Sequence, residues 1–366
     1  MTKICYLADA SNPHVKKWCD FFLNKGYDIE VISLNGGSIP GVKVHNFQTK
    51  VNEVRNKGLL SKFSYLKHLK EIKKLVRHIK PDFLHAQYAS SYGFLGALIG
   101  YKPYILSVWG TDIYDFPRNG IIQKLIIKYN FKKADYIFSN SVDMAREANI
   151  YTNKKVQITY FGVDTNRFRP LENVKEESYF TFGIIKSLEK KYGIKYLIEA
   201  YDKLYIKYDG IYNGKKLRLL IGGSGQEEST LKSQAQAAQS GTSINFLGRV
   251  KPDIIVETYN LCDICVFPSL REGFGVSAIE SQACQVPVVI TRVGGHPESV
   301  EEGKSGLIVE SKSSEKLLEA MEKLMLDDAL RIKMGSNARD FVERTYKFEN
   351  NFSDISRLYD RVLKNR

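Results

Sequence analysis

Residues 268–299 read PSLREGFGVSAIESQACQVPVVITRVGGHPES, and this segment decides the fold. It follows a short apolar run, Ile264–Phe267, that is bounded by a proline, as is typical of a buried strand in a parallel sheet. A polar turn with two glycines spans 269–275, a helical pattern spans 276–285, and a second apolar run spans 286–291. This order predicts a strand–loop–helix–strand unit with its loop at the carboxyl end of a strand, where open parallel sheets bind ligands.

The loop and the helix after it carry two carboxylates, Glu272 in the loop and Glu280 about a turn and a half into the helix. Gly273 and Gly275 let a ligand approach the backbone closely, and the helix start offers unpaired N–H groups to an anion. A carboxylate on each side of an anion-binding helix start suits a ligand with phosphate and with hydroxyls at both ends, as in a nucleotide sugar. The alternative is structural, with Glu272 capping a loop and Glu280 solvated on its helix.

Glu272 and Glu280, with seven residues between them, resemble the paired glutamates of glycosyltransferase family 4, whose members are retaining enzymes of the GT-B fold. The surrounding pattern, PSLREGFGVSAIES followed by PVVITRVGGHPE, is similar to that family across residues 268–298. The resemblance implies an enzyme of the bacterial surface-polysaccharide type in which Glu272 is catalytic and Glu280 binds the ribose. It also implies contacts to the donor from the loop and helix start, at Gly273, Phe274, Gly275, Val276 and Glu280.

Length and composition indicate a folded protein of two domains. The chain has 366 residues, more than one ordinary core holds, and 43% of them are hydrophobic. Its cysteines are few and odd in number, as expected of a reduced cytoplasmic protein, and the lone C-x-x-C pair favours core thiols. They are Cys5, Cys19, Cys262, Cys265 and Cys284. No apolar run has the length of a transmembrane helix, and residues 1–10 predict a first strand rather than an export signal.

The positive charge is confined to one half of the chain. Residues 1–170 contain 26 Lys+Arg against 13 Asp+Glu, whereas residues 171–366 contain 28 of each, so the whole net charge of +13 lies in the first half. Such a domain favours an anionic partner: nucleic acid, a membrane surface or a phosphorylated substrate. Residues 61–80 predict a basic amphipathic helix, and 121–133 have the same character. Each is either an ordinary surface helix or one that lies on anionic lipid headgroups.

The first half begins with a β-α-β pattern, and its later strands supply the residues predicted to face the acceptor. The loop 9–13 lacks the double glycine that many family members carry there. Trp109 stands where the family often has a histidine facing the reacting sugar, so it is expected to stack on a sugar ring, with Asp112 nearby. His85 ends its strand and has a satisfied core histidine as its alternative. The acceptor-side candidates are His14, His85, Trp109 and Asp112.

In the second half, residues 172–178 are polar and predict a linker, followed by the strand Tyr179–Ile185. The family places a basic residue at each of two positions after this strand, over the donor diphosphate, and Lys186 and Lys191 match them by spacing. Solvated loop lysines are the alternative. A glycine turn and the loop after the next strand complete the predicted donor contacts, at Gly223, Gly225, Arg249 and Val250. The glycine turn suits either phosphate or tight packing, and it lacks the third glycine of a dinucleotide fingerprint.

These patterns predict an α/β protein of GT-B architecture, with two Rossmann-like doubly wound domains facing a cleft. Residues 1–172 form the acceptor domain, residues 173–346 form the donor domain, and residues 347–366 form a helix that crosses back to the first. The implied reaction is retaining transfer of a hexose or N-acetylhexosamine from a nucleoside-diphosphate sugar, with UDP favoured.

The acceptor expected for such an enzyme is a polyprenyl-diphosphate-linked glycan at the cytoplasmic face of the membrane, and a small soluble acceptor is the alternative. No cofactor or metal is expected, since no Asp-x-Asp element stands at a strand end. A glycoside hydrolase would need two carboxylates flanking one bond. A nucleic-acid-binding protein would explain the charge, yet no nucleic-acid motif is present, and no nucleic-acid partner is expected.

Overall fold

The structure is a computed structural model that describes residues 1–47, 49 and 64–364, and the chain divides into two compact units. The first unit comprises Met1–Tyr160 together with Phe352–Arg366, and the second comprises Phe161–Asn351. Each unit is built on a parallel β-sheet with helices against it, which is the predicted α/β class. None of the helices described is long and apolar enough to cross a bilayer.

The sheet of the first unit has its strands in the order β3-β2-β1-β4-β5-β6-β7, and the described pairings are parallel. The strands are β1 (Lys3–Leu7), β2 (Asp28–Ser33), β3 (Lys43–Asn46), β4 (Phe83–Gln87), β5 (Tyr104–Val108), β6 (Tyr136–Ser139) and β7 (Val156–Ile158). The helices between them are α1 (Pro13–Asn24), α2 (Leu69–Ile79), α3 (Ser91–Ile99), α4 (Thr111–Tyr114), α5 (Ile121–Lys133) and α6 (Val142–Asn149). The strand order reverses between β1 and β4, which is the topological switch point of a doubly wound sheet.

The two faces of this sheet are covered by different helices, because successive strand residues point to opposite sides. Leu84 and Ala86 of β4 belong to a core that also contains side chains of α2, α3 and α5. Phe83 and His85 lie on the other face: the His85 ring is 5.7 Å from that of Trp18 in α1. Residues 61–63 of the predicted helix 61–80 lie outside the described residues; Ser64–His68 form a 3₁₀ helix, and the α-helix α2 begins at Leu69.

The sheet of the second unit has its strands in the order β11-β10-β8-β12-β13-β14, with β9 antiparallel to β10. The strands are β8 (Tyr179–Ile185), β9 (Ile211–Tyr212), β10 (Lys215–Gly222), β11 (Ile244–Gly248), β12 (Ile264–Phe267), β13 (Val288–Thr291) and β14 (Gly306–Val309). The helices are α7 (Ile194–Lys207), α8 (Glu228–Ala237), α9 (Ile255–Asn260), α10 (Val276–Ala283), α11 (Ser314–Leu326) and α12 (Asp328–Thr345). Here the switch point lies between β8 and β12, so the loops that follow these two strands are neighbours.

The division between the units falls earlier than the predicted residue 172, because the segment before that residue is hydrogen-bonded within the second unit. The Val163 N–H donates to the Tyr346 carbonyl at 2.8 Å, and the Leu171 N–H donates to Asn260 Oδ1 at 2.8 Å. The predicted linker 172–178 also lies inside this unit, where Glu176 accepts a hydrogen bond from Arg218 at 2.9 Å.

The last helix, α13 (Phe348–Lys364), belongs from Phe352 onward to the first unit. Its residue Tyr359 is buried, and its ring lies 4.7 Å from that of Phe83 and 4.8 Å from that of Phe22. The Tyr359 hydroxyl accepts from Trp18 Nε1 at 3.0 Å and is 2.7 Å from His85 Nδ1. The sheet of the first unit is therefore completed on one face by residues from the far end of the chain.

Candidate active site

The loops after β8 and β12 meet at the switch point of the second unit. The Leu270 N–H donates to the Lys191 carbonyl at 2.7 Å, which joins the two loops directly. Gly193 makes this approach possible: its φ is +61°, and a Cβ there would lie 2.3 Å from the Pro268 carbonyl oxygen. The predicted site residues Lys186, Lys191 and Glu272 are therefore brought into one place by the backbone.

Lys186 and Glu272 form an ion pair, with 2.6 Å between Lys186 Nζ and Glu272 Oε2 and side chains that are 12% and 11% exposed. Burial is the largest single influence on the pKa of Lys186 and acts to lower it, but Glu272, Tyr192 and Glu280 together outweigh burial and the pKa is raised. Burial is the largest single influence on the pKa of Glu272 and acts to raise it, but the charge and hydrogen bond of Lys186, together with the other neighbouring groups, outweigh burial and the pKa is lowered. The pair is therefore fully charged at neutral pH. Glu272 Oε1 also accepts the Gly273 N–H at 3.2 Å, which is the loop contact of the structural alternative, whereas Lys186 is nearly buried and is not the solvated loop lysine of its alternative.

Tyr192, which the sequence analysis did not single out, lies between the two predicted lysines. Lys186 Nζ is 4.6 Å and Lys191 Nζ 4.9 Å from the centre of its ring, so both cations contact one aromatic side chain. Lys191 also pairs with Glu189 at 2.8 Å and keeps 34% of its side chain exposed. Burial acts to lower the pKa of Lys191, but Tyr192 and Glu189 outweigh it and the pKa is raised. The site therefore contains two positively charged lysines whose positions are fixed by neighbouring side chains.

The helix α10 begins beside this pair and carries Glu280. Its side chain is partly exposed and accepts a hydrogen bond from the Tyr259 hydroxyl at 3.2 Å, and its charge also acts on Lys186. Val276, the first residue of the helix, is partly exposed as well. Phe274, also among the predicted donor contacts, is buried, and its ring lies 4.9 Å from that of Tyr346.

His296 is a site residue that sequence reasoning missed, although the segment containing it was quoted for its resemblance. It lies in the 3₁₀ helix His296–Ser299 after β13, is 1% exposed, and its Nδ1 makes no hydrogen bond within the described residues. Gly275, with φ of +101°, packs on the ring: a Cβ there would lie 2.6 Å from His296 Cδ2. Burial lowers the pKa of His296 to about 4, so a neutral imidazole stands beside Lys186 and Glu272. The available signal was a histidine directly after two glycines at a strand end.

The glycine turn after β10 packs tightly against the loop that holds Lys186. A Cβ at Gly223 would lie 1.9 Å from the Lys186 carbonyl oxygen, and one at Gly225 would lie 2.3 Å from the Leu188 carbonyl oxygen. The glycine turn therefore serves tight packing, the second of the two roles considered for it, and this packing fixes the position of Lys186. Arg249 and Val250 follow β11 at the same edge of the sheet, where Arg249 is exposed and Val250 is partly exposed.

In the first unit, two of the four acceptor-side candidates lie together. His14, at the start of α1, and Trp109, after β5, are both partly exposed, and their rings contact edge to face at 6.3 Å between centroids. His14 follows β1, which borders the switch point of this sheet, and Trp109 follows β5, the second strand on the other side of it, so both lie at the edge where the loops of a doubly wound sheet bind ligands.

The other two acceptor-side candidates are buried. His85 is fully enclosed, with Nδ1 2.7 Å from the Tyr359 hydroxyl and Nε2 2.7 Å from the Ser107 hydroxyl, which makes it the satisfied core histidine of the alternative interpretation. Asp112 accepts backbone N–H groups of Ala89 at 2.6 Å and Gly110 at 2.7 Å, so it fixes the loop that carries Trp109. Burial raises the pKa of Asp112 to about 6.

Two known protein families match different parts of the chain and together cover most of it. The family described as glycosyl transferases group 1 matches residues 166–341, and the family described as glycosyl transferase 4-like matches residues 3–141. The capsular polysaccharide biosynthesis glycosyltransferase CapM of Staphylococcus aureus is 26% identical over 388 aligned residues, covering 99% of this chain and 98% of its own. The N,N'-diacetylbacillosaminyl-diphospho-undecaprenol alpha-1,3-N-acetylgalactosaminyltransferase of Campylobacter jejuni is 26% identical over 336 residues, covering 85% of each chain.

Solved structures resemble the whole chain. Sucrose-phosphate synthase from Thermosynechococcus elongatus has a TM-score of 0.85 at 16% identity and covers 100% of both chains. HepE of Anabaena, solved in complex with UDP, has a TM-score of 0.79 at 18% identity and covers 98% of this chain and 100% of its own. At such identity the likeness concerns the fold alone, and that fold is GT-B. With two Rossmann-like units and matches to two glycosyltransferase families, the chain belongs to the family 4 glycosyltransferases of GT-B fold.

Proposed function

We propose that this enzyme moves a hexose or N-acetylhexosamine from a UDP-linked sugar to a polyprenyl-diphosphate-linked glycan in the synthesis of a surface polysaccharide, with retention of anomeric configuration. The observation that carries the donor half of the proposal is the Lys186–Glu272 ion pair beside the start of α10. This arrangement supports the proposal, because a carboxylate suits sugar hydroxyls, a cation and helix N–H groups suit a diphosphate, and all of them lie at the edge of a sheet where such ligands bind.

The named relatives support the choice of donor and acceptor. HepE is described in complex with UDP and with UDP-glucose. CapM is named for capsular polysaccharide biosynthesis, and the Campylobacter relative is named for an undecaprenol-linked acceptor. The basic first half of the chain agrees with an acceptor that carries a diphosphate and lies at an anionic membrane.

In the proposed reaction, an acceptor hydroxyl attacks the anomeric carbon on the face that the departing diphosphate occupied. The bond between that carbon and the phosphate oxygen breaks, and the leaving phosphate oxygen takes the proton of the hydroxyl. Negative charge grows on the diphosphate as it leaves, so Lys186, Lys191 and the N–H groups of α10 stabilise the transition state more than the bound donor. Glu272 holds the sugar and Glu280 the ribose. No divalent cation is assigned a role in this scheme.

A screen of purified protein against a panel of nucleotide sugars tests the donor half. We expect a thermal shift and slow donor hydrolysis with a small set of UDP-linked sugars, unchanged by a metal chelator. Release of an α-linked product from an α-linked donor, followed by NMR of the anomeric proton, would establish retention. Hydrolysis of simple glycosides without any nucleotide would contradict the proposal.

The acceptor half is tested with radiolabelled donor and either a polyprenyl-diphosphate-linked sugar or small soluble acceptors such as sugar phosphates. Label extracted into organic solvent is the expected result. Label transferred only to the soluble acceptors would overturn the lipid-linked acceptor while leaving the donor assignment intact.

A further inference from the structure

The start of α5 exposes apolar side chains that the proposed chemistry does not use. Ile121, Ile122 and Leu125 are 78%, 54% and 58% exposed. Farther along the helix, Ile127 and Phe131 are buried in the core of the first unit. At about 100° per residue, the exposed and the buried set lie on nearly opposite sides of the helix. The helix therefore has one apolar face against the sheet and a second one in contact with water, where it is unfavourable.

Basic side chains extend and flank this outer apolar face. Lys128 and Lys132 continue the line of Ile121 and Leu125 at helical spacing, and both are exposed. Lys124 and Lys133 are exposed beside them, and α5 has no acidic residue. Long lysine side chains can place their ammonium groups in water while their stems cover apolar surface. The outer face of α5 thus combines apolar tips with an unbalanced positive charge.

The neighbouring helices lie in the same layer. Side chains of α2, α3 and α5 share one core cluster, and α3 packs against both of the others, so all three cover one face of the sheet. The apolar stripe of α2 (Ile72, Val76, Ile79) is buried in that core, whereas its Lys70, Lys74 and Arg77 are exposed. In this layer α2 offers charge only, and α5 offers both charge and apolar side chains.

We propose that the layer formed by α2, α3 and α5 docks on an anionic lipid bilayer, with Ile121, Ile122 and Leu125 entering the headgroup region. This inference deepens the proposed function, on which it rests for the membrane-bound acceptor. An anionic bilayer is the partner that matches the chemistry, since it presents negative headgroups above an apolar interior. A second copy of the chain would bring two sets of lysines face to face, which opposes that alternative.

Sedimentation with vesicles made of equal parts phosphatidylcholine and phosphatidylglycerol tests the docking face. The test variant is I121S/I122S/L125S, and the matched control is I206S/I211S/I332S, whose residues in the second unit are 50%, 53% and 67% exposed. We expect the wild type and the control to keep part of their binding at about 1 M salt, where charges are screened within about 3 Å. The test variant should lose at least tenfold in affinity at low salt and all binding at high salt.

A probe reports insertion directly. The native cysteines are buried, so Ile122→Cys can be labelled selectively with an environment-sensitive dye, and Ile206→Cys serves as its control. Vesicles should shift the emission of the dye at 122 to shorter wavelength and leave that at 206 unchanged. Unaltered vesicle binding of the triple variant, or an unmoved dye at 122, would overturn the proposal. So would a wild-type dimer that the triple substitution dissociates without any vesicle binding.

These measurements need neither donor nor acceptor. A protein that binds vesicles through 121, 122 and 125 but gives no thermal shift with any nucleotide sugar would contradict the proposed function alone. A protein that hydrolyses UDP-sugars in solution but does not bind vesicles would contradict the proposed membrane docking and leave the proposed donor chemistry intact.

Discussion

Glu272 is the residue on which the proposed chemistry depends most, and its environment determines how it should be tested. Its carboxylate is almost buried and ion-paired with Lys186, so alanine would leave the lysine charge without its partner, at a cost of roughly 3–5 kcal/mol in stability. Glutamine also removes the negative charge, but it keeps the size of the side chain and a carbonyl oxygen that can accept a hydrogen bond from Lys186, so it should cost less stability than alanine. We expect Glu272→Gln to lower turnover by roughly 10²–10³-fold while thermal unfolding shifts by a few degrees at most. If the folded variant keeps near wild-type turnover, Glu272 is not part of the active site.

Glu280 is expected to act on binding rather than on turnover. Its side chain is partly exposed and lies on the surface side of α10, where it accepts a hydrogen bond from the Tyr259 hydroxyl, so we expect alanine at this position to leave the fold intact. We expect Glu280→Ala to weaken UDP binding about tenfold, as the loss of a charged hydrogen bond to ribose would do. Isothermal titration with UDP measures this, and Glu319→Ala, an exposed glutamate of α11, is the control. An unchanged UDP affinity would reject the ribose contact.

Lys191 should affect the chemical step more than the binding of donor. In the proposed mechanism Lys191 faces the donor diphosphate, whose negative charge increases toward the transition state, so replacement by alanine should lower kcat more than it raises the donor Kd. Lys190→Ala is a matched control, since this neighbour is exposed. Steady-state kinetics with a direct binding measurement separates the two effects. A variant that binds the donor more weakly but keeps the full maximal rate would show that Lys191 does not stabilise the transition state.

Single residues show where sequence reasoning stopped. The spacing of Lys186, Lys191, Glu272 and Glu280 identified side chains that the fold brings to one edge. Tyr192 and His296 were not identified, because their importance comes from contacts between loops that are far apart in sequence: Tyr192 lies against both lysines, and His296 packs on Gly275. His85 shows the opposite case, since a strand-end position cannot indicate which face of the sheet the side chain takes.

At the scale of elements, strong patterns gave the right bounds and weak ones did not. The helix Ile121–Lys133 and the strands Tyr179–Ile185 and Ile264–Phe267 match the sequence prediction to the residue. Helix α3 was not predicted, because its sequence SYGFLGALI is apolar on most sides and has no polar face to show a helical period. The helix predicted over 276–285 ends at Ala283, since Gln285 has a φ of +64° and a proline follows at 287.

The charge on α2 can be tested separately from the apolar face of α5. Changing Lys67, Lys70, Lys73 and Lys74 to glutamate alters an outer surface and leaves the buried stripe of α2 in place. Each basic residue near an anionic surface is worth about 1 kcal/mol, so this reversal should release the protein from anionic vesicles at low salt. The same change at Lys251, Lys312, Lys323 and Lys333, which are exposed in the second unit, is the control. Equal effects of both variants would show that net charge alone matters.

At the scale of the whole molecule, buried titratable groups predict how stability depends on pH. Burial lowers the pKa of His85 to about 3 and that of His296 to about 4 in the folded protein, whereas histidines in the unfolded chain have a pKa of about 6.5. Below pH 6.5 the unfolded chain therefore binds more protons than the folded protein. Both groups therefore stabilise the fold above that pH, and this contribution is lost as the pH falls from about 6.5 toward 4. Asp112 has the opposite effect on stability. Because its pKa is raised to about 6 in the folded protein, its contribution to the stability of the fold increases as the pH falls from about 6 to 4.

We expect the melting temperature to fall as the pH is lowered from 7 to 5, since two histidines outweigh one carboxyl group. His85→Asn should begin at a lower melting temperature at pH 7 but lose less on acidification, because one of the two histidines is gone. His78, which is exposed on α2, provides the control variant His78→Asn, and its curve should run parallel to that of the wild type. A His85→Asn curve that is also parallel would contradict the assignment.

The return of α13 to the first unit has a consequence for how the chain is made. Trp18, His85 and Phe83 all contact Tyr359, which leaves the ribosome after every residue of the second unit. The unit that is synthesised first is therefore the unit that is finished last, and the second unit has its whole sequence available earlier. A nascent chain arrested before residue 352 should contain a protease-resistant second unit beside a first unit that is still digested.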